Sequence, residues 1–119
     1  MRILVCEDQD AIRHMIETLV SASGHSVTGV ALGAKAVELA LSETYDVLLL
    51  DLMLPGALDG FEVCQRVRAA PSTRDLPIFI ISAMDDPESK KRAMDAGATA
   101  FYGKPFRPLE LLGEINRLA

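Results

Sequence analysis

Val47-Leu48-Leu49-Leu50-Asp51-Leu52-Met53-Leu54-Pro55-Gly56 is the stretch that decides the fold. Four apolar residues in an unbroken row read as a strand buried on both faces, as in the interior of a parallel sheet. The row stops at an ionisable carboxylate, Asp51, and Pro55-Gly56 signals a turn soon after. An apolar core expels a charge, so Asp51 is expected to emerge where the strand leaves the core. In an open parallel α/β sheet, that carboxyl edge is where ligands bind.

On the N-terminal side, Arg2-Ile3-Leu4-Val5-Cys6 is a second apolar strand that runs straight into Glu7-Asp8. Ile12, Met15, Ile16, Leu19 and Val20 then recur at helical spacing, with Asp8 or Asp10 as the expected cap and Gly24 as the stop. His25 to Val30 reads as a polar strand, and Ala36, Val37, Ala40 and Leu41 mark a helix before the Asp51 strand. On the C-terminal side, Phe61, Cys64, Val67 and Arg68 give a helix stopped by Pro71. Leu76 to Ser82 is a continuous apolar strand ending in a hydroxyl. Asp85-Asp86-Pro87-Glu88 opens the next helix, with proline in the first turn and acids at the positive end of the dipole; Gly97 ends it. Ala98 to Gly103 is a weaker strand followed by Lys104-Pro105-Phe106, and Pro108 opens a last helix with Leu109, Leu112 and Ile115 on one face.

Strands and helices thus alternate five times over short connections, which means a parallel sheet with helices on both sides. The strands at Ile3, Val47 and Ile78 are apolar throughout and belong in the middle; those at Val27 and Thr99 suit the edges. The order 2-1-3-4-5 satisfies this and makes residues 1–119 one domain. A net charge of −5 lacks the basic stripe that direct nucleic-acid binding needs. The apolar runs are too short to span a membrane and no signal peptide is visible, so cytoplasm is the expected location and no membrane partner is expected. Cys6 and Cys64 read as buried small hydrophobes, and His14 and His25 as surface or edge residues.

The strand order places Glu7, Asp8, Asp51, Ser82 and Lys104 along one rim of the sheet. Carboxylates crowded there repel by roughly 4 kcal/mol per pair at 4 Å and an effective dielectric of 20. Hard oxygen ligands with room for water describe a Mg²⁺ site, with Lys104 supplying a second positive charge and Ser82 a hydroxyl. A cation, an ammonium and a hydroxyl around one carboxylate form a cradle for a tetrahedral oxyanion, and Asp51 can act as nucleophile toward a phosphoryl group.

Over essentially all of its length the chain resembles a response-regulator receiver domain, the phosphoacceptor half of two-component signalling. The resemblance rests on Glu7-Asp8, Asp51-Leu52-Met53-Leu54-Pro55, Asp59-Gly60, Ser82-Ala83, Asp95-Ala96-Gly97-Ala98 and Lys104-Pro105-Phe106, in that order and spacing. It implies the flavodoxin-like doubly wound (βα)5 fold and a signalling domain, not an enzyme acting on an external substrate. It implies phosphorylation of Asp51 by a histidine kinase or histidine phosphotransfer protein. Mg²⁺ would be held by Asp8, Asp51 and the Met53 backbone carbonyl, with Glu7 assisting through water. Ser82 and Lys104 would bind the phosphoryl group, and Ser82 with Phe101 would form a switch acting on the face made by the fourth helix, fifth strand and fifth helix. The first helix, near Ile12 and Met15, would meet the kinase, and an output domain or effector would read the switch. A phosphorylation-dependent homodimer is the family's further option, but Ala98-Thr99-Ala100 stands where the dimerising subgroup has acids.

Phe101 has no hydroxyl to bond once turned inward, so switching is expected to be packing-driven. Gly60 falls five positions after Pro55 where the family usually has four, so Gly56-Ala57-Leu58 carries one extra residue. Met53 and Met84, two residues after Asp51 and Ser82, are apolar and flexible, and slow self-dephosphorylation is expected. A haloacid-dehalogenase-type phosphatase would need a second aspartate where Met53 stands, and a flavodoxin-like cofactor binder would not place Glu7-Asp8 against a phosphate. The remaining rival is a receiver-like interaction module that is never phosphorylated.

Overall fold

The computed structural model describes residues 1–118; Ala119, the last residue of the expected domain span, lies outside them. The elements are β1 (Arg2–Cys6), α1 (Asp10–Ala22), β2 (Ser26–Val30), α2 (Gly33–Ser42), β3 (Val47–Leu50), α3 (Gly60–Ala69), β4 (Ile78–Ser82), α4 (Pro87–Asp95), β5 (Ala100–Gly103) and α5 (Pro108–Asn116). All strand pairs are parallel and the order is β2-β1-β3-β4-β5. The apolar strands occupy the centre and the polar ones the edges, because only edge strands leave a flank less covered.

Successive residues of a strand face opposite sides, so each central strand feeds two cores. Leu4, Cys6, Leu48, Leu50, Ile78 and Ile80 pack beneath α2, α3 and α4, with Ala36, Val63, Cys64, Val67 and Ala93. Ile3, Val5, Val47, Leu49, Phe79 and Ile81 face α1 and α5 through Ile16, Val20, Leu111 and Ile115. Among the described residues no helix is long and apolar enough to cross a membrane.

Local signals explain most boundaries. Asp86 caps α4 by accepting the Ser89 amide, with Pro87 following it. Gly24 and Gly97 take φ of 89° and 111° after α1 and α4, the left-handed turn that favours glycine. His14 is exposed and half-buried His25 joins the N-terminus to Asn116 Oδ1.

Three expectations are corrected. The residue capping α1 is Gln9, without a side-chain cap bond, because Asp10 is already helical and its carboxylate pairs with Arg13. Regular β5 pairing begins at Ala100 rather than Ala98, where the Thr99 hydroxyl accepts the Ile78 amide. On α5, Leu111 and Ile115 are buried while Leu109 is 79% exposed. Leu109 precedes Ile115 by six residues, about 120° around the helix, and so falls off the buried face.

Candidate functional site

Register assembles the site. Cys6 pairs with Leu50 and Leu50 with Ile80, so Glu7 and Asp51 leave adjacent strands at one level. Ser82 pairs with Gly103, so Lys104 follows on the neighbouring strand. Residues from four strand ends thereby meet on one rim, as the strand order requires.

Asp51 leaves the core at the end of β3, as expected, yet it stays shielded from solvent. It is 5% exposed and Glu7 2%, while Asp8 stays exposed. The difference is made good by pairing: Lys104 Nζ donates to Glu7 Oε1 and, at 3.1 Å, to Asp51 Oδ2. The other oxygens are held by backbone, Met53 N donating to Asp51 Oδ1 at 3.2 Å and Gln9 N to Glu7 Oε2 at 3.1 Å. A buried carboxylate survives only when paired and hydrogen-bonded, and both are.

One ammonium does not balance three acids. Carboxylate oxygens of Glu7, Asp8 and Asp51 lie within 4.8 Å of one another. Burial pushes the Glu7 carboxyl above its usual value, opposed by the bonds from Lys104 and Gln9 and reinforced by the Asp51 charge. Burial would depress the Lys104 ammonium, but its bonds to Glu7 and Asp51 prevail and hold its pKa above the ordinary one. Beneath them, burial first and then the three acids push the Cys6 thiol up to about 12, so it is no ligand at neutral pH. The trio with Lys104 carries two uncompensated negative charges on oxygen donors, a set that fits a hard divalent cation such as Mg²⁺.

Ser82 is fully buried; its Oγ accepts the Met84 amide at 3.1 Å and its carbonyl accepts Lys104 N at 2.9 Å. Phe101 is half-buried against the α2–α4 core, with Lys90 Nζ 5.8 Å from its ring centroid. Met53 is 56% exposed, and it shares with Met84, Leu52, Leu54, Phe61 and Arg92 a groove of about 440 Å³ beside the site.

The Asp59-Gly60 pair has a mechanical role. Asp59 and Glu62 form a reciprocal capping box at the start of α3. A Cβ on Gly60 would lie 2.5 Å from Leu52 Cα and collide with the Asp51 carbonyl oxygen, so glycine lets α3 sit directly on the exit of β3. In the Gly56-Ala57-Leu58 loop, Gly56 takes φ 88° and Leu58 is buried, its carbonyl meeting the space above Gly33 at the start of α2.

Two features escaped the sequence reading. Lys104 bridges Glu7 and Asp51, and Arg13 donates to the Glu7 backbone carbonyl at 2.8 Å. The Asp10-Arg13-Glu17 spacing of α1 was the available signal for the second, since it marks Arg13 as a partnered cation.

Known proteins share this fold. The response regulator receiver domain model matches residues 3–116. Response regulator MprA of Mycobacterium avium is 38% identical over 99% of this chain and 50% of its own length. The DNA-binding dual master transcriptional regulator RpaA of Synechocystis is 35% identical over 98% and 48%. The chain thus spans about half the length of these curated relatives. The chemotaxis response regulator CheY4 of Vibrio cholerae superposes with a TM-score of 0.91 at 30% identity, over 99% of this chain and 98% of that one. The receiver domain of the sensor histidine kinase PA1611 of Pseudomonas aeruginosa, solved with magnesium in its active-site cleft, does so at 0.90 and 32%, over 98% and 95%. With its strand order, its acidic rim and these matches, the chain belongs to the response regulator receiver domain family.

Proposed function

We infer that the chain accepts a phosphoryl group on Asp51 from a phosphohistidine of a histidine kinase or phosphotransfer protein. The observation that carries this reading is a buried strand-end carboxylate paired with Lys104 and lying within 4.8 Å of two further acids. An Asp51 oxygen attacks phosphorus, the phosphorus–nitrogen bond breaks with its electron pair leaving on the histidine ring, and an acyl phosphate forms. Lys104 faces the phosphoryl oxygens, and the buried Ser82 hydroxyl, already accepting the Met84 amide, has its own proton free to donate to one. Asp8, Asp51 and the Met53 carbonyl are the residues that would hold Mg²⁺, with Glu7 acting through water. Mg²⁺, when bound, offsets the charge that gathers on the phosphoryl oxygens. The magnesium found in the PA1611 receiver cleft supports this assignment.

Movement of Ser82 toward the phosphoryl group opens space beside Phe101, whose inward turn repacks the face formed by α4, β5 and α5. The groove of about 450 Å³ lined by Ile12, Met15, Lys104, Pro105, Phe106 and Pro108 borders the site and suits the kinase helices. RpaA, a DNA-binding regulator about twice as long as this chain, supports an output partner of that kind.

The test is incubation with Mg²⁺ and a small phosphodonor, followed by intact mass. One added phosphoryl group in the parent protein and none in Asp51→Ala is the expected result. Equal uptake by both sinks the assignment of Asp51, and no uptake from any donor favours an unphosphorylated interaction module.

A further inference from the structure

Glu7, Asp8 and Gln9 make the whole connection from β1 to α1, and the helix that follows has no side-chain cap to hold them. Asp8 is exposed at the centre of that connection. Something else must fix its direction, and the interactions converge on Arg13. Its backbone amide donates to the Gln9 carbonyl at 3.0 Å, and its Nη1 donates to the Glu7 carbonyl at 2.8 Å. Nη2 donates to Asp10 Oδ1 at 2.6 Å, and Nε lies 3.6 Å from Glu17 Oε1. The Glu7 backbone is therefore held at both of its peptides, because its N–H donates to the Val30 carbonyl of β2 at 3.0 Å.

The neighbouring strand makes room for this arrangement. A Cβ at Gly29 would lie 2.8 Å from Glu17 Cδ and 3.2 Å from Arg13 Cδ, so β2 runs close beneath the pair and a side chain there would push the free end of Glu17 aside. Arg13 is 14% exposed, packed enough for its fork to be fixed rather than sampled.

We propose that Arg13 is a positioning residue for the divalent-cation site: its guanidinium holds the Glu7 carbonyl and so aims Asp8 and Glu7 at Asp51. The inference rests on reading Asp8 and Asp51 as Mg²⁺ ligands. Charge alone gives the opposite expectation. Arg13 is a cation whose field reaches the site, since it lowers the otherwise raised pKa of Cys6. A bare positive charge repels Mg²⁺, so deleting it would tighten binding if charge were its whole role. Orientation predicts weaker binding, and the two accounts differ in sign.

The experiment titrates the 119-residue chain with Mg²⁺, following the amide resonances of Asp8, Gln9, Asp51 and Met53, in the parent and in Arg13→Met and Arg13→Lys. Residues that orient metal ligands are worth tenfold or more in well-formed sites, and for this open site about three- to tenfold weaker binding is expected in both variants. Arg13→Lys keeps the charge and most of the stem, so it reports even where Arg13→Met fails to fold. Unchanged or tighter Mg²⁺ binding in the folded variants overturns the proposal. So does a lower urea midpoint in EDTA without a change in Mg²⁺ affinity, the signature of a merely structural arginine. A parent protein that takes up no Mg²⁺ overturns the site reading itself and the inference with it.

Discussion

Replacing Asp51 with asparagine should make the metal-free protein more stable. Asp51 lies 3.1 Å from the Lys104 ammonium, an attraction of about 5 kcal/mol at an effective dielectric of 20. Its carboxylate lies within 4.8 Å of those of Glu7 and Asp8, a repulsion of about 3.5 kcal/mol for each pair, or about 7 in all. The balance is about 2 kcal/mol unfavourable, before the desolvation of a carboxylate that is 5% exposed. Asparagine keeps the shape and an oxygen for the Met53 amide while removing the charge. Lys104 retains Glu7 as its partner. Urea unfolding followed by circular dichroism, at pH 7 in EDTA and low salt, should place the Asp51→Asn midpoint higher by about 1 M, given slopes of about 1–3 kcal/mol/M. Adding Mg²⁺ should narrow the gap, because the parent gains binding free energy that a weakened site does not. An Asp51→Asn midpoint at or below that of the parent in EDTA would refute the charge-crowding argument, whatever the phosphorylation assay shows.

Arg68 donates to the carbonyls of Leu76 at 2.5 Å and Gly97 at 2.8 Å, so Arg68→Met should cost about 2–3 kcal/mol in urea unfolding; a loss below 0.5 kcal/mol would mean those carbonyls turn readily to water. Replacing Met53 and Met84 together with Glu and Lys should admit and orient water, shortening the acyl-phosphate half-life about tenfold, a barrier change of about 1.4 kcal/mol. An unchanged decay in that double variant counts against shielding by the methionines. Burial raises Cys6 to about 12 and Cys64 to about 11 from 9.0, so neither should react with a thiol reagent at pH 8 until urea unfolds the chain. The stability contributed by their neutral thiols is intact below pH 9.0 and lost as pH climbs through those raised values, so alkaline unfolding should steepen there.

Strand order and the membership of the rim were legible because each rests on a local pattern. The continuous apolar rows at Ile3, Val47 and Ile78 can only be interior strands, and the polar residues that terminate them must then share an edge. The face of α5 was less legible, since Leu109, Leu111 and Leu112 offer overlapping helical spacings and only packing against α1 selects Leu111. The burial of Asp51 was not legible for a related reason. A carboxylate's exposure depends on where its counter-charge comes from, and Lys104 arrives from 53 residues away. Arg13 shows the same limit: its ion pairs follow from helical spacing, whereas its grip on the Glu7 carbonyl depends on where β1 ends relative to α1.

The rim draws Glu7 and Asp51 from strands that pair once two crossovers have closed, Ser82 after the third and Lys104 only after the fourth. No shorter segment contains the pocket, and each closure must be met by chain entropy before the next pairing rewards it. A half-built chain therefore gathers its acids before the lysine that pairs with them, and the rim is complete only with the last strand. The last crossover thus delivers the cation that the buried acids share, so crowding is at its worst just before the sheet is finished.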